Sequence, residues 1–296
     1  MDKINAEVFL TVAETGSFRK AADRLGYTQA GISYIIGAME ESTGLSLFQR
    51  ERNGVQLSAE GKEIYFHMEQ LQRWERKFQQ TIDELNGLER GTIRVQIFDS
   101  ISIHWIPGIL RKFREDFPKI KVELITEEDS VRAEQMVING EVDCGFFLTK
   151  VQGKIDSFPL LEENLMAVLP PDHPLAKEEK FPLSELGKWP YIGMKYDSNT
   201  GICDIFRRKR VKPNRVFRMD NDYAAMAMIH NGLGFGIFPE LLLQDAPYEL
   251  CCLEFDQPQT RIISIGTANI ETCSKACKKF IEYTREWVSG RKAPVL

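Results

Sequence analysis

Phe18-Arg19-Lys20-Ala21-Ala22-Asp23-Arg24-Leu25-Gly26-Tyr27-Thr28-Gln29-Ala30-Gly31-Ile32-Ser33-Tyr34-Ile35-Ile36 is the stretch that decides the fold of this chain. Phe18, Ala21, Ala22 and Leu25 fall at helical spacing. After a break at Gly26, Ile32, Ile35, Ile36 and Met39 do the same. Each set places one apolar stripe on a short helix. Gly26 stops the first helix and Thr28 caps the second. Upstream, Ala6, Phe9, Leu10 and Ala13 give a third stripe, closed by Gly16 and followed by Ser17 as the next cap. Three short helices with a tight glycine turn between the last two outline a helix-turn-helix, whose second member enters the major groove.

The outward face of that second member carries Ala30, Ser33, Tyr34 and Gly37, with Gln29 at its start. Small residues allow close approach to a base edge. Gln29 can pair with the N6/N7 edge of adenine, and Ser33 with a base or a phosphate. Downstream, Asn53-Gly54 is a tight-turn dipeptide between Leu47–Arg52 and Val55–Leu57, so a small hairpin follows. As a wing it would lay Arg50 and Arg52 along phosphates or the minor groove. Ser17, Arg19, Thr28, Gln29, Ala30, Ser33, Tyr34, Arg50, Arg52 and Asn53 make the candidate DNA-contacting set.

Charge argues the other way. The net charge is −5, and residues 1–57 hold six Lys/Arg against seven Asp/Glu. Affinity from phosphate neutralisation therefore needs segregated charge. Five of the six basic residues lie in the second helix or after the third, and a dimer doubles them.

From Ser58 to about Glu89 the chain lacks proline. Ile64, Met68, Leu71, Phe78, Ile82 and Leu85 follow steps of three and four, with Glu75 at one seam position. This is a coiled-coil seam with a polar interruption. Its 32 or so residues would span roughly 48 Å as a helix, long for one serving only its own head.

Beyond Gly91 strands and helices alternate. Ile93, Val95 and Ile97 form a strand, Ile103–Glu115 a helix, Val122–Ile125 a strand, Val131–Asn139 a helix and Gly140–Phe147 a strand. A second set begins near Leu165 and includes Tyr191–Met194, Val216–Met219 and Phe235–Phe238. Arg261–Thr267 returns toward the first set, and Cys273–Val288 is a final helix. A βαβαβ order implies a parallel sheet with right-handed crossovers. The domains expected are 1–57, 58–90 and 91–296, with one lobe of 91–161 plus 266–296 and a second of 162–265.

In open α/β sheets ligands bind beyond the carboxyl ends of the strands. Ser100, Ser102, Asp129, Ser130, Thr149, Ser198, Asn199 and Thr200 follow strand ends, and their polar groups, mostly hydroxyls, would suit a small polar ligand. Each alone also reads as a helix cap. Glu127-Glu128-Asp129 reads as a solvated acidic loop, or as a recruiter of an ammonium group.

Five ordered motifs resemble the winged helix-turn-helix of LysR-type transcriptional regulators. They are Ala13-Glu14-Thr15-Gly16-Ser17-Phe18, Ala21-Ala22-Asp23-Arg24-Leu25, Thr28-Gln29-Ala30-Gly31-Ile32-Ser33, Leu47-Phe48-Gln49-Arg50 and Leu57-Ser58-Ala59-Glu60-Gly61. Ala30 stands where the family usually has proline, and Tyr34 where it often has a basic residue or His. Ile106-Pro107, Gly140-Glu141-Val142-Asp143 and Gly232–Pro239 extend the resemblance to that family's two-lobed, periplasmic-binding-protein-like effector domain. The resemblance implies a fold of winged helix, long dimerisation helix and α/β effector domain. It implies a homodimer pairing into a tetramer, an interrupted inverted repeat of double-stranded DNA as target, a small-molecule effector between the lobes, and RNA polymerase as a further partner.

Catalytic or metal chemistry finds no pattern in the chain: there is no H-E-x-x-H, P-loop lysine, G-x-S-x-G or paired-Cys zinc spacing. No cofactor is expected. No apolar run approaches the ~20 residues of a membrane span, and the N-terminus lacks signal-peptide character; the expected address is the cytoplasm. Six cysteines without a secreted framework fit a reducing compartment. Cys251-Cys252 point to opposite faces of a strand, and Cys273 and Cys277 share a helix face. Cys203, in a polar loop-to-helix stretch, is the best-placed reactive thiol, which leaves a redox-sensing regulator as the alternative reading. Arg207-Arg208-Lys209-Arg210 reads as a solvated helix edge.

Overall fold

The computed structural model describes residues 5–51, 54–85, 91–151, 154–197 and 201–290. The chain divides into two compact units, residues 1–86 and 87–296.

The first unit contains α1 (Ala6–Thr15), α2 (Phe18–Leu25), α3 (Gln29–Thr43), the hairpin of β1 (Phe48–Glu51) and β2 (Gly54–Leu57), and α4 (Ala59–Leu85). Each of the first three helices starts as its cap residue dictates. Asn5 accepts from Val8 N, Ser17 from Lys20 N and Thr28 from Gly31 N. They stop at Gly16, Gly26 and Gly44, all left-handed with φ of 60°, 72° and 68°, where a side chain would strain the turn. The apolar stripes meet in one core of Phe9, Val12, Ala21, Ala22, Ile32, Ile36, Met39, Leu47 and Phe48. Phe9 and Phe48 form its aromatic centre at 5.2 Å.

The start of α4 is built onto this core. Ser58 Oγ donates to Ser46 O at 2.5 Å and accepts from Gly61 N at 2.8 Å. Gly61 then sits so close to β1 that a Cβ there would lie 2.1 Å from Leu47 O. Met68 is 6% exposed, and Ile64, Tyr65 and Leu71 pack on the same cluster. The head therefore includes the first half of the long helix, and the expected 57/58 boundary does not separate two bodies. An amphipathic helix buries what it can reach, and these apolar residues are within reach of the three-helix core.

The second unit begins with β3 (Gly91–Ile97), α5 (Asp99–His104), α6 (Ile106–Asp116), β4 (Ile120–Thr126), α7 (Ser130–Ile138) and β5 (Cys144–Phe147). Strand β3 runs parallel to both β4 and β5. The expected helix over 103–115 is two helices that break at Trp105, because Pro107 lacks the N–H that continuation requires and starts a fresh first turn.

Strand β6 (Asp156–Leu169) belongs to both lobes. Its first part pairs antiparallel with β11 (Thr260–Thr267) and its last part with β9 (Gly236–Pro239) and β10 (Cys251–Leu253). The change of partner falls at Asn164/Leu165. Beyond it Leu165, Ala167 and Leu169 face one core, and Met166 and Val168 face another, the two-residue period of a strand buried on both sides. The rest of this lobe comprises β7 (Pro190–Met194), α8 (Ile202–Lys209), β8 (Asn214–Met219), α9 (Asp222–His230) and α10 (Glu240–Leu243).

The return to the first lobe comes earlier than the expected residue 266. All of β11 pairs with β6 or β5 in the first lobe, and Ile263 and Ile265 are fully buried in its core. Ile263 and Ile265, two residues apart, face the core of the first lobe, while Ile262 is 50% exposed. Helix α11 (Lys275–Ser289) closes that lobe with Cys277, Phe280, Ile281 and Val288.

Candidate DNA-reading face and inter-lobe cleft

On α3, Ile32, Ile36 and Met39 are buried, while Thr28, Gln29, Ala30 and Tyr34 are exposed and Ser33 is half-buried. Tyr34 is a large aromatic that is 78% exposed. Thr28 is occupied as the cap of α3, and Ser17 as that of α2. Arg19 and Lys20 are exposed on α2, whereas Arg24 is engaged with Glu14 at 2.8 Å. Arg52 and Asn53 lie outside the described residues, as does the side chain of Arg50.

The expected seam of α4 divides. Ile64, Met68 and Leu71 are committed to the head's own core, whereas Phe78 is 68% exposed and Ile82 half-exposed. The side chain of Leu85 lies outside the described residues. Phe66 and Trp74, which the seam reading passed over, are 50% and 63% exposed. Trp74, Phe78 and Ile82 are successive four-residue neighbours on the helix surface, whereas Phe66 lies on the far side from Ile82. The spacing is in the sequence, but which apolar residues of α4 the head covers is seen only in the structure.

In the second unit a cleft of about 60 Å³ opens between the lobes. Carboxyl ends of strands from both lobes deliver its lining: Asp99 and Ser100 follow β3, Glu128 follows β4, Leu148 follows β5, Asp197 follows β7, and Asp220 and Asp222 follow β8. Ile202, Ile237, Phe238, Pro239 and Leu242 supply an apolar side. Among the described residues Arg261 is the one cation in the lining.

Several devices hold this arrangement. Buried Gln96 donates Nε2 to Glu127 O at 3.0 Å and accepts from Phe146 N at 3.1 Å, tying the loop after β4 to β5. Glu128 Oε1 accepts from Asp99 N at 2.8 Å. Asp197 Oδ2 accepts from Tyr191 Oη at 2.8 Å, Met194 N at 3.0 Å and Arg215 at 3.4 Å. Where β6 passes between the lobes, Glu163 receives Arg261 Nε at 2.7 Å on one oxygen and Leu241 N at 2.9 Å on the other. Arg261 also reaches Ser100 Oγ at 3.5 Å.

Crowding negative charge into a desolvated cleft raises the cost of ionisation. Burial pushes the Glu128 carboxyl up to about 7, and nearby Asp99 and Asp222 add to the effect against the backbone hydrogen bond from Asp99 and the field of Arg261. Burial likewise raises Asp222 to about 6, reinforced by Asp99 and opposed by Arg261. Asp197 rises to about 6, chiefly through burial, against the stabilising bonds from Tyr191, Arg215 and Met194.

Of the hydroxyl and carboxyl residues expected at a ligand site, Ser100 lines the cleft. Ser102 donates to Asp99 O, Asp129 caps α7, and Ser130 and Thr149 stand outside the lining. Ser198, Asn199 and Thr200 lie outside the described residues. The expectation looked mainly to hydroxyls, with Glu127-Glu128-Asp129 as a separate acidic loop, whereas the lining is mostly carboxylates and apolar residues. Asp197, Asp220 and Asp222 carry an available signal, since each directly follows a readable strand.

Cys203 is half-buried, and its thiol is pushed up by burial and by the Asp197 carboxylate, with Arg215 opposing. Cys273 Sγ donates to Ile270 O at 3.4 Å and Cys277 Sγ to Asp143 O at 3.5 Å. The neighbouring Cys277 thiol and burial raise Cys273, and the neighbouring Cys144 thiol raises Cys277 well above its ordinary range. Among the described residues, no group of three or more His, Cys, Asp or Glu is placed to hold a metal, and no helix is long and apolar enough to cross a membrane.

Two family models match the chain. Residues 5–62 match the bacterial regulatory helix-turn-helix protein of the lysR family, and residues 86–289 match the LysR substrate binding domain. An uncharacterized HTH-type transcriptional regulator of Bacillus subtilis strain 168, YvbU, is 29% identical over 284 residues, covering 95% of this chain and 96% of its own. Full-length CbnR complexed with its target DNA has a similar fold, with a TM-score of 0.71 and 19% identity over 95% of this chain and 98% of that one. The effector binding domain of QuiR in complex with shikimate covers 68% of this chain and 98% of its own, with a TM-score of 0.60 and 20% identity. With both unit types matched in order, the chain belongs to the LysR family of transcriptional regulators and is not an enzyme.

Proposed function

We propose that two copies of this chain, joined through α4, read an interrupted inverted repeat in double-stranded DNA, and that a small molecule between the effector-domain lobes changes how they do so. The observation that carries the DNA reading is the division of α3. One face is locked into the head's core, and the other offers Gln29, Ala30, Ser33 and Tyr34 outward from a rigid helix. That is the geometry of direct readout by a recognition helix. The CbnR complex with its target DNA supports it. Arg19 and the wing arginines Arg50 and Arg52 are assigned to phosphates, where they set register rather than sequence.

The exposed neighbours Trp74 and Phe78 support pairing through α4 with a second copy. Dyad-related heads follow from such pairing. Tetramer formation and contact with RNA polymerase belong to the same reading of the family. The cleft between the lobes, at strand ends contributed by both, is assigned to the effector, as the shikimate complex of the QuiR domain supports. The effector must bind one arrangement of the assembly better than another, or nothing switches.

The test is binding of the full chain to a panel of duplexes. Gln29→Ala should cost about 1–3 kcal/mol on the preferred sequence and relax one position of it. Arg19→Ala should weaken all sequences alike and reduce the salt slope by about 1. If both variants bind as the parent does, α3 and α2 do not face the DNA in this way.

A further inference from the structure

We infer that the ligand of the inter-lobe cleft is a small amine, its ammonium group held by Asp99, Glu128 and Asp222 and an acceptor atom facing Arg261 and Ser100. The inference rests on the cleft being the effector site and names the chemical class that site takes.

Two independent features lead to it. The first is charge balance. Asp99, Glu128, Asp197, Asp220 and Asp222 line the cleft from helix starts and loops of both lobes, and only Arg261 opposes them in the lining among the described residues. Arg261 is itself committed to Glu163, which does not line the cleft. Asp197 has Arg215 at 3.4 Å. Asp99, Glu128 and Asp222 have no ion-pair partner among the described residues. Burial, with Asp99 adding to it, holds Glu128 and Asp222 above the ordinary carboxylate range, and a cation beside them would favour their ionised forms.

The second feature is directed hydrogen bonding. Ser100 is 5% and Arg261 8% exposed, and both line the cleft. The Ser100 hydroxyl accepts a long bond from Arg261 Nη2 but donates its own proton to no described residue. A buried hydroxyl proton needs an acceptor. A ligand with an ammonium at one end and an oxygen at the other satisfies both ends of the cleft. The lining of Leu148, Ile237, Phe238 and Leu242 suits a short carbon body between them. A bare metal ion fits less well, because no three acidic groups among the described residues converge as ligands. A simple carboxylate anion would meet Arg261 but face the acidic wall.

The test is a thermal-shift and calorimetric panel on the full chain with four probe classes. They are amines with an acceptor (L-lysine, L-alanine amide and ethanolamine), carboxylate anions (benzoate and succinate), magnesium and calcium. An amine that raises the melting temperature, and that Asp222→Asn weakens at least tenfold, supports the inference. Asp222→Asn removes a poorly solvated charge, so it should fold, and circular dichroism checks this. Leu148→Trp fills the cleft and should abolish the same response. Stabilisation by an anion or a metal ion instead of any amine overturns the amine inference, and its loss in Leu148→Trp would leave the cleft standing as the effector site. An amine response indifferent to both substitutions overturns the inference and the cleft reading together. No response to any amine overturns the inference.

Discussion

Adding one methyl group should have opposite effects at two helical glycines, Gly61 in α4 and Gly37 in α3. Helix propensity favours alanine over glycine by about 1 kcal/mol at either position. At Gly37 a Cβ meets no atom within 4 Å, so Gly37→Ala should keep most of that gain. At Gly61 the Cβ would lie 2.1 Å from Leu47 O, 3.1 Å from Leu47 C and 3.2 Å from Leu57 Cδ2. Two of those atoms are backbone and cannot rotate away. Either α4 lifts from β1, losing the Ser58 bonds to Ser46 and Gly61, or the strand shifts. Overpacking of this kind costs about 1–3 kcal/mol or more, and a severe backbone clash belongs at the upper end, so the net loss is about 2 kcal/mol after the propensity gain. For a head of this size that is a melting shift on the order of 10 °C. Urea and thermal unfolding of the full chain, followed by far-UV circular dichroism, measure both variants. A Gly61→Ala protein as stable as the Gly37→Ala protein would refute the packing argument and leave propensity as the governing effect.

On α4, Phe78→Glu should weaken self-association in sedimentation velocity while leaving the melting of the head near the parent's. Met68→Glu should instead unfold the head, because it puts an unpaired charge into a site that is 6% exposed. The reverse assignment would mean that the inner row is the intermolecular one. The cleft predicts a pH dependence. Glu128, Asp197 and Asp222 have folded values raised to about 7, 6 and 6. A raised carboxyl binds its proton more tightly when folded, so its contribution is fully present below about pH 4 and is lost as pH rises toward about 7. Asp99, Asp220, Tyr191, Tyr196, Cys203, Arg215, Arg218, Tyr223 and Arg261 are among the other ionisable groups nearby. The ligand-free protein should melt higher near pH 5 than near pH 7.5, and Asp222→Asn should narrow that gap. An increase from pH 5 to 7.5 that Asp222→Asn leaves unchanged would contradict the electrostatic account. Finally, iodoacetamide near neutral pH should label Cys203 no faster than free cysteine, and peroxide should leave DNA affinity unchanged, because burial and Asp197 disfavour its thiolate. A fast-reacting Cys203 whose oxidation changes DNA affinity would favour the redox alternative.

The head was legible in the sequence because its signals are local. Cap residues such as Ser17 and Thr28, stops such as Gly16 and Gly26, and stripes such as Ile32, Ile36 and Met39 all act within a few residues of one another. The long helix was legible as a helix but not in its packing. Met68 and Phe78 both satisfy the spacing, and only the three-dimensional position of Phe9 and Leu47 decides which is covered. In the effector domain the strand ends were readable from the alternation of strands and helices. The chemistry of the cleft was less so. Asp99, Glu128, Asp197 and Asp222 are 123 residues apart at the extremes, and their mutual field appears only when the lobes meet. The Arg261–Glu163 pair is separated by 98 residues and was invisible for the same reason. The extent of β11 was read as Arg261–Thr267, within one residue of the strand, and only the lobe boundary inside it differs, because Ile262–Ile265 reads equally well as the end of one lobe or the start of the next.

The central claim, that paired α3 helices read a dyad, is tested most directly by selecting duplexes from a random pool with the full chain and sequencing those retained. The account predicts an inverted repeat with half-sites about one helical turn (~34–36 Å), or a multiple of it, apart centre to centre, and its loss in Phe78→Glu. A single unsymmetrical motif, selected equally well by the Phe78→Glu protein, would contradict it.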